Sequence, residues 1–116
     1  KYTQSTLSYI SAIGLNAALD DLLKMSIEKI FLHSHSLAAI LMTKLEGHNW
    51  EPFHSTTSSE FSPHIISLRT SKLNVQSKIM ELTKSGIICG VRNGRIRISV
   101  AHYNNESDIR SLLKQL

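Results

Sequence analysis

Asn93-Gly94 sits between two β-prone runs, Ile87 to Val91 and Arg95 to Val100. An Asn-Gly pair accepts the positive φ angles of a tight two-residue hairpin, so the two runs are predicted to be antiparallel neighbours. Within the second run Ile96, Ile98 and Val100 alternate with Arg95, Arg97 and Ser99. The pleat therefore sends the aliphatic groups to one side and both guanidiniums to the other. A chain holding such a strand must build a sheet with one apolar face to cover and one arginine face left over.

The cover is available in the remaining sequence. From Ser8 to Leu23 apolar residues, Ile13, Leu15, Ala18, Leu19 and Leu22 among them, recur at helical spacing. Ser26 is placed to cap a second helix, with Met25 and Ile30 as a hydrophobic staple. That helix is expected to bury Ile27, Ile30, Phe31, Ser34, Leu37, Ala38, Leu41, Met42 and Leu45 along one stripe, and Gly47 is suited to stop it. Trp50 and Phe53 mark a short strand over Asn49 to Phe53, followed by a Ser/Thr/His-rich loop running to Pro63. His64 to Arg69 reads as a strand, and Asn74 to Ser85 as a helix closed by Gly86. Asn105 caps a last helix, with Glu106 and Asp108 at its positive end and Ile109, Leu112 and Leu113 on its apolar stripe. The expected fold class is α+β: two long N-terminal helices, then a small, mainly antiparallel sheet with helices packed on one face.

Size and chemistry narrow the function classes. At 116 residues with 41% hydrophobic content the chain supports a single core. No apolar run approaches the ~18 residues of a membrane span, so no membrane partner is expected. Cys89 is the only cysteine, which excludes an internal disulfide and a Cys-rich zinc module and fits a reducing, cytoplasmic setting. It has no local histidine, so a packed thiol is expected rather than a nucleophile. His33 and His35 stand two apart on a helix and face different ways, and the other histidines show no paired ligand spacing, so no metal site is assigned. A formal charge of +4 names no ligand. Arg92, Arg95 and Arg97 lack interleaved aromatic residues for base stacking, so nucleic acid is not expected as a partner. Tyr103 and Asn104 are read as turning the chain into the last helix. The chain opens on Lys1 with no signal segment, and is read as a piece of something longer.

The stretch from Gly86 to Ile109 resembles the C-terminal signature of class V aminotransferases. That family shows a Gly-Ile strand, then Arg-x-Ser, then Tyr-Asn followed by an acidic residue and Ile or Val; here these are Gly86-Ile87, Arg97-Ile98-Ser99, Tyr103-Asn104 and Asp108-Ile109. Upstream, Thr6, Gly14-Leu15 and Ala18-Leu19 are similar to the segment of the family that leads into a helix. Thr3 and Ser5 stand where the family has Glu and Gly.

The resemblance implies the fold of pyridoxal-phosphate enzymes of the aspartate aminotransferase type. Residues 1–24 would be the helix bridging from a large domain, and residues 25–116 the small C-terminal domain. Arg97 matches the residue that grips the α-carboxylate of an amino-acid substrate. Thr6 matches the threonine that contacts the cofactor phosphate of the neighbouring subunit, which implies a homodimer. The lysine that anchors pyridoxal 5'-phosphate lies, in the family, in the large domain, so no catalytic residue is expected in this chain and the chain alone is expected to be inactive. A small domain of a cysteine desulfurase, selenocysteine lyase or epimerase relative is the nearest alternative. A non-catalytic basic binding module is the alternative from a different class.

Overall fold

The computed structural model describes residues 8–55, 57, 58 and 61–116. Its elements run α1 (Tyr9–Met25), α2 (Ile27–Lys44), β1 (Glu51–Pro52), β2 (Ile65–Arg69), α3 (Val75–Lys84), β3 (Gly90–Arg92), β4 (Arg95–Ser99) and α4 (Glu106–Gln115). The strands form one sheet in the order β1-β2-β4-β3, with every neighbouring pair antiparallel. This is the α+β arrangement that the alternation in β4 demands.

Local chemistry explains the boundaries. Asn93 and Gly94 both take positive φ, 50° and 68°, and bring Arg92 opposite Arg95 in a two-residue hairpin. The Asn105 side chain accepts from the main-chain N–H groups of Ser107 and Asp108, while Asp108 accepts from the Asn105 N–H, completing a capping box at α4. Asn74 caps α3 in the same way by accepting from the Ser77 N–H at 2.9 Å. At the other end of α3, Gly86 adopts φ 78°, its N–H donates to Thr83 O and the Ile87 N–H donates to Leu82 O. This paired closure satisfies helix carbonyls that would otherwise be orphaned.

That closure changes one sequence expectation. The first hairpin arm was expected over Ile87 to Val91, but pairing begins only at Gly90. The turn that stops α3 holds Ile87 against the helix end, so Ile87 to Cys89 cross to the sheet without joining it. The strand expected over Asn49 to Phe53 likewise narrows to Glu51–Pro52.

The core lies between the sheet and three helices. Ile66 and Leu68 of β2 and Ile96, Ile98 and Val100 of the β4 segment face Leu37, Ala38 and Leu41 of α2, Leu82 of α3, and Ile109, Leu112 and Leu113 of α4. Trp50 is 1% exposed and its indole N–H donates to the main-chain oxygen of Leu116 at 3.2 Å, tying the approach to β1 to the end of α4. His33 Nε2 lies 2.8 Å from the carbonyl oxygen of Asn104. A carbonyl only accepts, so the His33 proton sits on Nε2 and pins α2 to the turn before α4.

Helix α1 stands apart from this core. None of its residues is buried, and Tyr9, Ile13 and Leu15 are 77%, 71% and 61% exposed. It meets α2 at Ser26, which leaves the helical region with φ 68°. The radius of gyration is 17.3 Å, against about 13 Å for a compact domain of this length. Ile27 and Phe31 at the start of α2 continue the exposed apolar surface, so the α2 stripe is buried only from Ser34 onward.

Candidate functional site

The side of the sheet opposite the helices is where the candidate residues gather. Arg97 in β4 pairs with Ser67 of β2 on one flank and Gly90 of β3 on the other. Directly opposed side chains approach to within about 5 Å at Cβ, so the size of these two neighbours decides how much room Arg97 has. Ser is small and Gly contributes no side chain; a Cβ built at Gly90 would come within 3.9 Å of Arg97 Cβ. Neither neighbour crowds Arg97, which is half-buried as a residue. Among the described residues Arg97 has no hydrogen bond or ion pair.

Arg95 occupies the same face two residues earlier and is held quite differently. Its guanidinium carbon lies 3.7 Å from the centre of the Phe53 ring. Phe53 follows β1, and its main-chain N–H donates to Ser67 O at 2.8 Å, which sets the ring in the row that contains Ser67 and Arg97. Arg95 therefore leans out of its own row toward that of Arg97. Its Nε is sealed from solvent with no hydrogen-bond partner. The exposed Arg92 stands directly across from Arg95 in β3.

Carboxylates are scarce on this face. Glu51 pairs with Arg69, Oε2 to a terminal nitrogen at 3.4 Å, and both side chains are well exposed. Among the described residues no carboxylate answers Arg92, Arg95 or Arg97. A planar guanidinium without a partner is suited to meet an incoming carboxylate with two parallel hydrogen bonds.

Cys89 is elsewhere. A cleft of about 410 Å³ opens between the unpaired Ile87–Cys89 segment, the end of β4 and α4, with Cys89, Ile98, Asn104 and Asp108 among its lining. Burial pushes the Cys89 thiol above its ordinary range, so the neutral form is favoured. Neither Arg95 nor Arg97 lines this cleft. Asn104 and Asp108 are engaged in structure: Asn104 accepts from the Ala101 N–H at 2.9 Å and donates to Asp108 at 3.2 Å. Among the described residues no group of three or more His, Cys, Asp or Glu side chains is placed to hold a metal ion, and no helix is long and apolar enough to cross a membrane.

Thr6 lies outside the described residues. Sequence reasoning missed the contact of Phe53 with Arg95 and treated Phe53 only as the apolar end of a short strand. Alternation places Arg95 beside Arg97, but the register of β1 on β2 is what delivers an aromatic ring to it.

Comparisons with known proteins bear on the family and the fold. The family model described as Aminotransferase class-V matches residues 1–112. No curated protein sequence matches the chain. Among solved structures, the cysteine desulfurase CsdA from Escherichia coli superposes with a TM-score of 0.83 at 20% identity, over 97% of this chain and 31% of that one. A NifS-like protein gives 0.79 at 22% identity over 97% of this chain and 33% of that one. The alanine–glyoxylate aminotransferase from Nostoc sp. gives 0.67 at 14% identity, over 87% and 28%. The chain spans about a third of the length of these structures, and the likeness is one of fold.

Proposed function

The chain belongs to the class V aminotransferase family, and we propose that it is the small C-terminal domain of a pyridoxal-phosphate-dependent aminotransferase that acts on amino acids. In this reading residues 1–24 bridge to a large domain, residues 25–116 form the small domain, and the intact enzyme is a cytoplasmic homodimer. The observation that carries it is the unpartnered Arg97 between Ser67 and Gly90.

Arg97 binds the substrate α-carboxylate and fixes the amino acid in one orientation; Ser67 and Gly90 keep the approach open. Orientation of this kind converts binding energy into rate, since a reactant held in a near-attack geometry has less entropy to lose. When bound, pyridoxal phosphate supplies the electron sink for charge developing at the α-carbon. In this reading the covalent anchor of the cofactor belongs, as in the family, to the large domain, and this chain alone is inactive. Thr6 is assigned to the cofactor phosphate of the neighbouring subunit. The exposed apolar side of α1 supports the bridging role, because a helix with Tyr9, Ile13 and Leu15 in water is one that packs against another body in the intact protein. A desulfurase reading would need an accessible thiolate, and the half-buried Cys89 with its raised pKa disfavours it.

The test is to recover the coding sequence upstream of Lys1, express the intact protein and compare it with Arg97→Ala. A lysine-linked cofactor absorbance, with a raised KM for amino acids and a lowered kcat in the variant, is the expected result. Unchanged kinetics in the variant would remove Arg97 from the site, and an upstream region without a lysine-bearing α/β domain would overturn the reading as a whole.

A further inference from the structure

The arginine face holds more positive charge than one carboxylate requires. Arg95 and Arg97 are i and i+2 on β4, about 6.6 Å apart along the strand, and share a face. Arg92 stands directly across from Arg95, a like-charged pairing that costs stability unless an anion relieves it. The nearest carboxylate on the sheet, Glu51, is engaged by Arg69.

Arg95 is also the more constrained of the two. Phe53 lies against its guanidinium at 3.7 Å, and its Nε is sealed without a partner. Stacking on a ring occupies the flat side of a guanidinium and leaves the in-plane N–H groups at its rim. Those N–H groups have no partner among the described residues. An arginine already held in place loses little rotamer freedom when it binds, so the structure has paid in advance for an interaction it does not itself complete.

We propose that Arg95 is a specificity-determining residue that grips a second carboxylate, so that the site accepts amino acids with an acidic side chain. The proposal rests on the assignment of the α-carboxylate to Arg97. Two guanidiniums on one rigid strand, one open between Ser67 and Gly90 and one clamped by Phe53, form a two-point receptor for a dianion. Once the first carboxylate is bound at Arg97 the second contact is intramolecular, which raises affinity without any new surface. The clamp supplies the discrimination: an amino acid with an apolar side chain would leave Arg95 desolvated beneath it and unpaired.

The experiment is an NMR titration of the 116-residue chain with glutarate, a dicarboxylate, and butyrate, a monocarboxylate of similar length, at matched ionic strength. The Nε–Hε resonances of the arginines serve as reporters. Glutarate should bind roughly tenfold or more tightly than butyrate, with both Arg95 and Arg97 shifting. Arg95→Gln should bring the two affinities together while butyrate still binds, and Arg97→Gln should abolish both. Phe53→Leu, which keeps both charges and removes the clamp, should lower the preference for glutarate; it also guards against a folding defect in Arg95→Gln. A glutarate preference that survives both Arg95→Gln and Phe53→Leu would overturn the proposal and leave Arg97 in place. Butyrate binding that is indifferent to Arg97→Gln would instead overturn the assignment beneath it, and the absence of any shift with either probe would overturn both.

Discussion

Arg95 reaches across the sheet to cover Phe53, its guanidinium carbon 3.7 Å from the ring centre, although β2 lies between its own strand and β1, which Phe53 follows. Phe53 is in register with Ser67 and Arg97 rather than with Arg95, so the contact runs diagonally over β2. Arg97, two residues on, stands between Ser67 and Gly90 and makes no ring contact, hydrogen bond or ion pair among the described residues. Two arginines on the same face of one strand are thus held differently, one stacked on a ring and one without a partner among the described residues.

The alternation along β4 separates stability from function. Ile98 is 5% exposed in the core, so Ile98→Ala should destabilise the domain by about 2–5 kcal/mol. Arg97 projects from the other face without a partner among the described residues, and Arg97→Ala should change stability by no more than about 0.5 kcal/mol. Urea unfolding followed by circular dichroism measures both; a large loss from Arg97→Ala would place that side chain in the structural framework instead.

Helix ends carry the next expectation. Gly86 closes α3 at φ 78°, and nothing lies within 4 Å of the position an added Cβ would take. The cost of Gly86→Ala is therefore one of backbone conformation alone, about 1–2 kcal/mol. Asn105→Ala removes a side chain that accepts two main-chain N–H groups at the start of α4 and should cost about 0.5–2 kcal/mol. Thermal melts of the two single variants and the double variant should show nearly additive losses, since the two caps belong to separate helices.

Cys89 should behave as a sheltered thiol. Its pKa is raised in the fold above the ordinary 9.0, so the folded state keeps a proton that the unfolded chain gives up. The contribution to stability is fully present below the unfolded value and is lost as pH rises through it toward the folded value. Alkylation by iodoacetamide at pH 8 should accordingly be slower in the native chain than in urea. Replacing Cys89 by Ala should flatten the decline in stability above pH 9, and equal alkylation rates in the two states would contradict the burial.

The exposed side of α1 has a consequence in solution. With Ile13 71% and Leu23 69% exposed, the isolated chain should bind hydrophobic dyes and self-associate as its concentration rises. Ile13→Glu combined with Leu23→Glu should suppress association in sedimentation velocity while leaving the circular dichroism of the core unchanged. A chain that stays monomeric and dye-free without these substitutions would mean that α1 folds back onto α2 more closely than its exposure indicates.

Local signals were legible in the sequence wherever the chemistry is itself local. Asn93-Gly94 gave the hairpin turn, Asn105 with Asp108 gave the cap of α4, and alternation gave Arg97 its face. What could not be read depends on partners distant in the chain. The release of Ile87 to Cys89 from the sheet follows from the way the helix closure competes with strand pairing, and both outcomes suit the same apolar residues. The placement of Phe53 over Arg95 needs the β1–β2 register, which two paired positions at the edge of a sheet do not announce. The exposed stripe of α1 has the same periodicity as a buried one, since spacing reports which residues share a face and says nothing of what faces them.

The bond from the Trp50 indole to Leu116 spans 66 positions, and that from His33 to Asn104 spans 71. Translation at about 5–20 residues per second separates the two ends of each bond by roughly 3–14 s. During that interval Trp50 and the apolar stripe of α2 have emerged while α4, which completes their shelter, has not yet been made. The nascent domain therefore waits with its largest core side chain uncovered until α4 has been made.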